Sequence, residues 1–255
     1  MKQIPNIFTL LNLFFGCLAI VYALQTNAVN IYQGDDLASS FSLPEKLTFA
    51  SLFIGIAAVI DFLDGFVARL LKAESMLGAQ LDSLSDVVSF GVAPAMIILQ
   101  LLRLSFMQQA NAFDINEAWL LPVFILPCAG AYRLARFNLD KSQQYGFKGL
   151  PIPAAGMFFA SLPVIAYYNY LDGAVNAVIF NKWFLYAITL LISYLMVSRL
   201  PLFALKFKDK SFKNNFPAIL LLGITIIAAI FLKWLAIPVA IVAYIGISLS
   251  TKKST

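Results

Sequence analysis

Asp61-Phe62-Leu63-Asp64-Gly65-Phe66-Val67-Ala68-Arg69, followed after eight residues by Gly78-Ala79-Gln80-Leu81-Asp82-Ser83-Leu84-Ser85-Asp86, sets four aspartates in strongly apolar surroundings. An ionised carboxylate at membrane depth costs roughly 2.5–3.5 kcal/mol on insertion scales, so four in one short stretch have to face each other, water or metal rather than lipid. On an α-helix, residues three or four apart share a face. Asp61, Asp64, Gly65, Ala68 and Arg69 therefore form one stripe, and Gly78, Asp82 and Asp86 form another. With a turn containing Lys72, Glu74 and Ser75 between two antiparallel helices, the stripes converge on one pocket. Four carboxylates that close repel unless neutralised, and an all-oxygen donor set suits hard cations such as Mg²⁺ or Mn²⁺, with two ions the natural count.

Composition supports the membrane premise independently. Of 255 residues, 61% are hydrophobic and 12% charged, whereas a soluble domain is about 45–50% apolar and about 25% charged. Mean hydropathy is +0.83. Apolar stretches fall near 7–24, 47–66, 84–102, 118–135, 154–171, 183–205, 216–232 and 235–250. At about 20 residues per spanning helix this predicts an all-α polytopic membrane bundle of about eight passes, with little outside it. The first stretch has only Lys2 as a charged leader and is interrupted by Asn12, which argues against a cleaved signal peptide. Cys17 and Cys128 lie in apolar segments with no ligand pattern, as expected of small buried hydrophobes, and indicate no disulfide framework.

Orientation follows from the cations. With the N-terminus inside and eight passes, Lys2, Arg69, Lys72, Arg133, Arg136, Lys141, Lys148, Arg199, Lys206, Lys208, Lys210, Lys213, Lys252 and Lys253 fall inside, and Lys46, Arg103, Lys182 and Lys233 outside. That is 14 against 4 of the 18 Lys plus Arg, an asymmetry that turns the four-aspartate pocket toward the cytoplasm. The net charge of +5 reads as this topology signal plus attraction to anionic lipid, not as nucleic-acid binding. The chain has no histidine, which excludes a Ser-His-Asp or Cys-His nucleophile system and a His-ligated zinc. No P-loop or glycine-rich dinucleotide fingerprint is present, so phosphate would be held by metal, arginine or exposed amides.

The complete pattern D-G-x-x-A-R-x8-G-x3-D-x3-D, with a further Asp three residues before it, resembles the signature of CDP-alcohol phosphotransferases. Pro5-Asn6-Ile7-Phe8-Thr9-Leu10-Leu11-Asn12, Ser89-Phe90-Gly91-Val92-Ala93-Pro94-Ala95, Tyr132-Arg133-Leu134-Ala135-Arg136-Phe137-Asn138 and Phe147-Lys148-Gly149-Leu150-Pro151-Ile152-Pro153 resemble the phosphatidylserine synthase branch. The likeness covers roughly residues 2–205, which implies a six-helix family core at 1–205 and two additional helices at 206–255.

The resemblance implies attack of a serine hydroxyl on the β-phosphorus of CDP-diacylglycerol, with CMP leaving. It further implies metal ligation by Asp61, Asp64, Asp82 and Asp86, with Asp86 also the general base. Nucleotide contacts carry over to Asp61, Gly65, Ala68 and Arg69, and to Asn6, Thr9 and Asn12. Close helix packing explains Gly65, Ala68 and Gly78 equally well, and a helix–helix hydrogen bond explains Asn12 almost as well. Arg133, Arg136 and Lys148 are candidates to hold serine or phosphate, against ordinary inside-positive flanking. A homodimer in the inner membrane of a prokaryote is expected. The alternatives are another acceptor alcohol (glycerol phosphate, inositol phosphate or choline), an archaeal ether-lipid donor or, from another class, a cation or proton transporter with acidic residues in broken helices.

Overall fold

A computed structural model describes residues 4–25, 30–31, 40–41, 45–71, 73, 75–107, 116–140, 147–168, 173–203 and 212–251. Lys2, Lys72, Glu74, Lys141, Lys206, Lys208, Lys210, Lys252 and Lys253, invoked above for turn or topology, lie outside them.

Helices α1 (Ile4–Leu24) and α2 (Glu45–Leu70) run antiparallel. They touch through Thr9 and Asp64 at one end and the Tyr22 and Phe49 rings, 6.0 Å apart, at the other. A short ladder, β1 (Asn30–Ile31) with β2 (Ser40–Phe41), lies between them in sequence. α3 (Met76–Asp86) begins where the Ser75 hydroxyl accepts from Gly78 N at 3.0 Å, closing an orphan amide of the first turn. It continues through a π-helical segment, Val87–Val92, into α4 (Ala93–Met107). Pro94 has no amide hydrogen for its fourth predecessor, and the widened turn absorbs the missing bond, with Ala93 N reaching back to Val88 O. The span Met76–Met107 has 72% of its apolar window buried against 11–39% for the other long spans, so it is the central helix.

Around it pack α5 (Ile125–Leu139), entered through a 3-10 segment Glu117–Phe124, and α6 (Ile152–Tyr168). A short α7 (Gly173–Ile179) is bent by 61° from α8 (Lys182–Val197). β3 (Phe147–Lys148) pairs with β4 (Pro201–Leu202) across the ends of α5 and α8. α9 (Phe212–Leu232) turns through Lys233, at φ 50°, into α10 (Ala236–Thr251).

Lipid is as apolar as leucine, so association of these helices depends on close packing and on interhelical hydrogen bonds averaging about 0.6 kcal/mol each. Gly156 shows the packing: a Cβ there would come 2.9 Å from Phe90 Cα, and Phe90 itself is fully buried. Ile230 and Phe231 are 69% and 78% exposed and face the space lipid would fill.

Length and apolarity identify the chain as an integral membrane protein with, among the described residues, five helices able to span, six if the bent α7–α8 pair is one span. The expected eight passes are not reached by that criterion. α6 has only 17 residues, and residues 215–250 form one apolar stretch broken at the Lys233 turn. Other expectations also shift. The sixth stretch, 183–205, stops being helical at Val197, where Ser198 turns extended (ψ 160°) and the chain goes into β4. α7 was not anticipated. Cys17 and Cys128 are free but exposed on the outer faces of their helices, not buried.

Candidate functional site

The α2 and α3 stripes meet at one end of the bundle. One carboxylate oxygen from each of Asp61, Asp82 and Asp86 lies within 4.8 Å of the others, and Asp61 sits between Asp82 and Asp86. Asp86 is 7% exposed, and its Oδ1 has no hydrogen-bond donor among the described residues. Three oxygens so spaced fit the donor set of a hard divalent ion. The fourth carboxylate stands apart: Asp64 accepts a hydrogen bond from the Thr9 hydroxyl and is not in the three-residue cluster.

α1 is fastened to this end by contacts that sequence reasoning missed. Ser85 Oγ donates to Thr9 O and Ser89 Oγ to Asn12 O, each at 3.0 Å; separately, Asn138 Nδ2 of α5 donates to Ser83 Oγ of α3 at 2.9 Å. The signal was present in the four-residue spacing of Ser85 and Ser89, in phase with the aspartates. Asn6, Thr9 and Asn12 are all buried facing the cluster's helices, and Asn12 lies beside Asp86. Gly65 meets only Arg69 Nη2, 4.0 Å from where a Cβ would be, so open space remains there beneath an exposed guanidinium. Ala68 is half-buried on the same face. Gly78 differs: a Cβ would fall 3.2 Å from Asn6 Oδ1, so its missing side chain admits α1.

The cations of α5 separate into different surroundings. Arg133 is 4% exposed, its Nε is without a hydrogen-bond partner, and Asp86 is within electrostatic range. Arg136 instead donates to Val197 O at 2.9 Å and Ser198 O at 3.1 Å, satisfying carbonyls left open where α8 ends. Lys148 pairs with Asp140 at 2.8 Å. Arg69, Arg136 and Lys148 thus lie toward the carboxylate end, while Lys182 lies at the other end over the Phe106 ring, 5.1 Å away. An apolar cavity of about 400 Å³, lined by residues including Phe158, Leu162, Val175 and Phe184, contains none of these groups.

Comparison with known proteins accounts for the arrangement. Residues 2–250 match the CDP-alcohol phosphatidyltransferase family. A CDP-diacylglycerol–serine O-phosphatidyltransferase of Helicobacter pylori is 35% identical over 199 residues, 77% of this chain and 70% of the relative. The protein of the same name from Bacillus subtilis is 32% identical over 206 residues, 78% and 89% of the two chains, and that from Methanocaldococcus jannaschii 38% over 154 residues, 60% and 57%. A match over nearly the whole length, together with clustered aspartates from the two motif helices, establishes that the chain belongs to the CDP-alcohol phosphatidyltransferase family.

Proposed function

We propose that this protein transfers the phosphatidyl group of CDP-diacylglycerol to the hydroxyl of L-serine, releasing CMP and leaving phosphatidylserine in the membrane. The observation that carries the proposal is the convergence of Asp61, Asp82 and Asp86 within 4.8 Å where α2 and α3 meet, with the buried Arg133 in electrostatic range of Asp86. The names of the relatives supply the acceptor.

In this reading Asp61, Asp82 and Asp86, with Asp64 one turn away, would hold two Mg²⁺ or Mn²⁺ ions, which when bound would supply positive charge to offset that of the pyrophosphate and the departing CMP. Asp86 accepts the serine hydroxyl proton as the serine oxygen bonds to the phosphatidyl phosphorus, and the bond to CMP breaks with its electron pair going to CMP. Gly65 and Ala68 leave room for the nucleotide, Arg69 pairs with a phosphate, and Asn6, Thr9 and Asn12 form the wall opposite. Arg133 receives the serine carboxylate in a bidentate pair. Arg136 and Lys148 act behind it, through the α8 terminus and the loop carrying Asp140.

Residues 1–205 form the catalytic core and 206–255 an added helix pair. The site faces the cytoplasm across the inner membrane of a prokaryote, because Arg69, Arg136, Lys148 and Arg199 follow or end helices whose ends lie on the carboxylate side. The protein works as a homodimer, which cross-linking in isolated membranes would test. Purified protein with Mn²⁺ should release CMP from CDP-diacylglycerol with L-serine and not with glycerol phosphate, inositol phosphate or choline. CMP release dependent on one of those alcohols instead would reassign the acceptor.

A further inference from the structure

The apolar cavity of about 400 Å³ lies toward the end of the bundle opposite the carboxylates. Phe158, Leu162 and Ile165 of α6 form one wall, Val175 and Ile179 of α7 another, and Leu235 comes from the 3-10 turn between α9 and α10. Every residue that lines it is apolar. Its volume lies within the range of about 300–1,000 Å³ of small-ligand pockets, yet it offers water no hydrogen-bond partner, and cavities of that kind stay dry. From Phe158 to Ile165 the α6 wall runs about 10 Å along the helix axis. In an integral membrane protein the apolar solute at hand for such a slot is an acyl chain.

The ends of the surrounding helices carry what a phospholipid headgroup meets. Trp183 and Trp234 are 67% and 43% exposed, and the Trp234 ring stacks on exposed Tyr168, the last residue of α6, at 5.6 Å and 25°. Exposed Trp and Tyr mark the headgroup level of a bilayer, so the cavity begins just beneath that level. Lys182 opens α8, two residues before Phe184 of the lining, and its ammonium is held over the Phe106 and Trp183 rings at 5.1 and 5.8 Å. Lys233 opens the 3-10 turn, two residues before Leu235 of the lining. Glu45, an acidic group at the same end, accepts from the Tyr167 hydroxyl at 3.4 Å. Two ammonium groups on the segments that frame an apolar slot suit a phosphate whose chain runs down into it.

We infer that this cavity is a second lipid site, taking one acyl chain of an anionic phospholipid whose phosphate lies against Lys182 and Lys233. Its occupant is distinct from the donor lipid, whose pyrophosphate belongs at the carboxylate end.

The test uses the full-length protein in phosphatidylcholine vesicles with a small fraction of phosphatidylglycerol carrying a diazirine in one acyl chain. After irradiation, adducts should concentrate on residues 158–165 and 174–179, about tenfold above those from a phosphatidylcholine probe of the same chain. K182Q/K233Q should bring the phosphatidylglycerol signal down to the phosphatidylcholine level. A174W, which fills the cavity from α7, should remove the adducts of both probes. Both variants should keep CMP release within about twofold of the parent. Equal labelling by the two probes, or labelling spread evenly over the outward residues Ile226 and Ile230 of α9, would mark ordinary boundary lipid and overturn the inference. So would a disulfide dimer formed readily by V178C in the same vesicles, which would make a second copy of the chain the occupant. Loss of adducts only in step with loss of CMP release would assign the label to substrate lipid and overturn it as well.

Discussion

Asp82→Asn is the substitution that most directly separates a metal site from a structural cluster. The two side chains have nearly the same size and similar helix propensity, so the principal change is one negative charge. With oxygens up to 4.8 Å apart, each ionised pair repels by about 3 kcal/mol at an effective dielectric constant near 20. Proton uptake by the cluster relieves part of this, leaving a gain of about 1–3 kcal/mol for the variant without metal. Melting in detergent with excess EDTA should show it at least as stable as the parent and up to several degrees higher, at about 2–4 °C per kcal/mol. Saturating Mn²⁺ should reverse the order. A ligand at a hundred times its dissociation constant stabilises the parent by about 2.7 kcal/mol, and the variant, missing one of three clustered oxygens, should lose most of that increment. Should the EDTA melting point of Asp82→Asn fall by several degrees while its Mn²⁺ shift persists, the carboxylates are structural and the metal assignment fails.

Other perturbations give sharp expectations. Asp86→Asn should abolish CMP release while retaining the parent's elution profile and, like Asp82→Asn, melting in EDTA no lower than the parent; measurable turnover would remove Asp86 as the base. EDTA should stop the reaction in the parent protein and Mn²⁺ or Mg²⁺ restore it, whereas full activity after exhaustive chelation would refute metal assistance. Gly149→Ala should destabilise by about 1–2 kcal/mol or more, because Gly149 sits at φ 81° with the Met196 and Ser198 carbonyls where a Cβ would go; an unchanged melting point would show that the β3–β4 braid adjusts freely. Thr9→Val removes the donor to Asp64 at nearly constant volume and should cost about 1–3 kcal/mol if that carboxylate stays ionised without metal, read as a drop in the EDTA melting point that Mn²⁺ narrows.

The parts of this site legible in the sequence are those where burial makes a residue expensive. Asp61, Asp82 and Asp86 could be grouped in advance because charges in apolar helices need partners and helical phase allows few arrangements. Asp64 has the same phase and cost, yet it is engaged by Thr9, a partner 55 positions away. Arg136 was grouped with Arg133 by spacing, but it caps α8, because the chain leaves helical geometry at Ser198 and exposes two carbonyls. Neither pairing has a local signature. The fold shows a related division: apolar runs mark the helices, while the π-turn after Asp86 answers the amide hydrogen missing at Pro94 and α8 starts afresh at the Asn181 cap, local features that apolar runs do not report.

Asn12 shows what the structure adds to a residue whose sequence reading was ambiguous. A helix–helix hydrogen bond would explain an asparagine in an apolar run, and it requires a partner for the amide. Asn12 is fully buried, yet neither Oδ1 nor Nδ2 has one among the described residues, although its backbone carbonyl is taken by Ser89. Leaving a buried amide unmade costs about 1–3 kcal/mol, which the packing explanation gives no reason to bear. Its neighbour is Asp86, so the unmade bonds lie where the proposed chemistry needs a donor and an acceptor that bulk water does not already occupy. The same physics applies to Arg133, whose Nε is also unpartnered and which lies within electrostatic range of Asp86. Two unsatisfied buried side chains near one carboxylate are costly in a resting protein and useful in one that binds a polar substrate there.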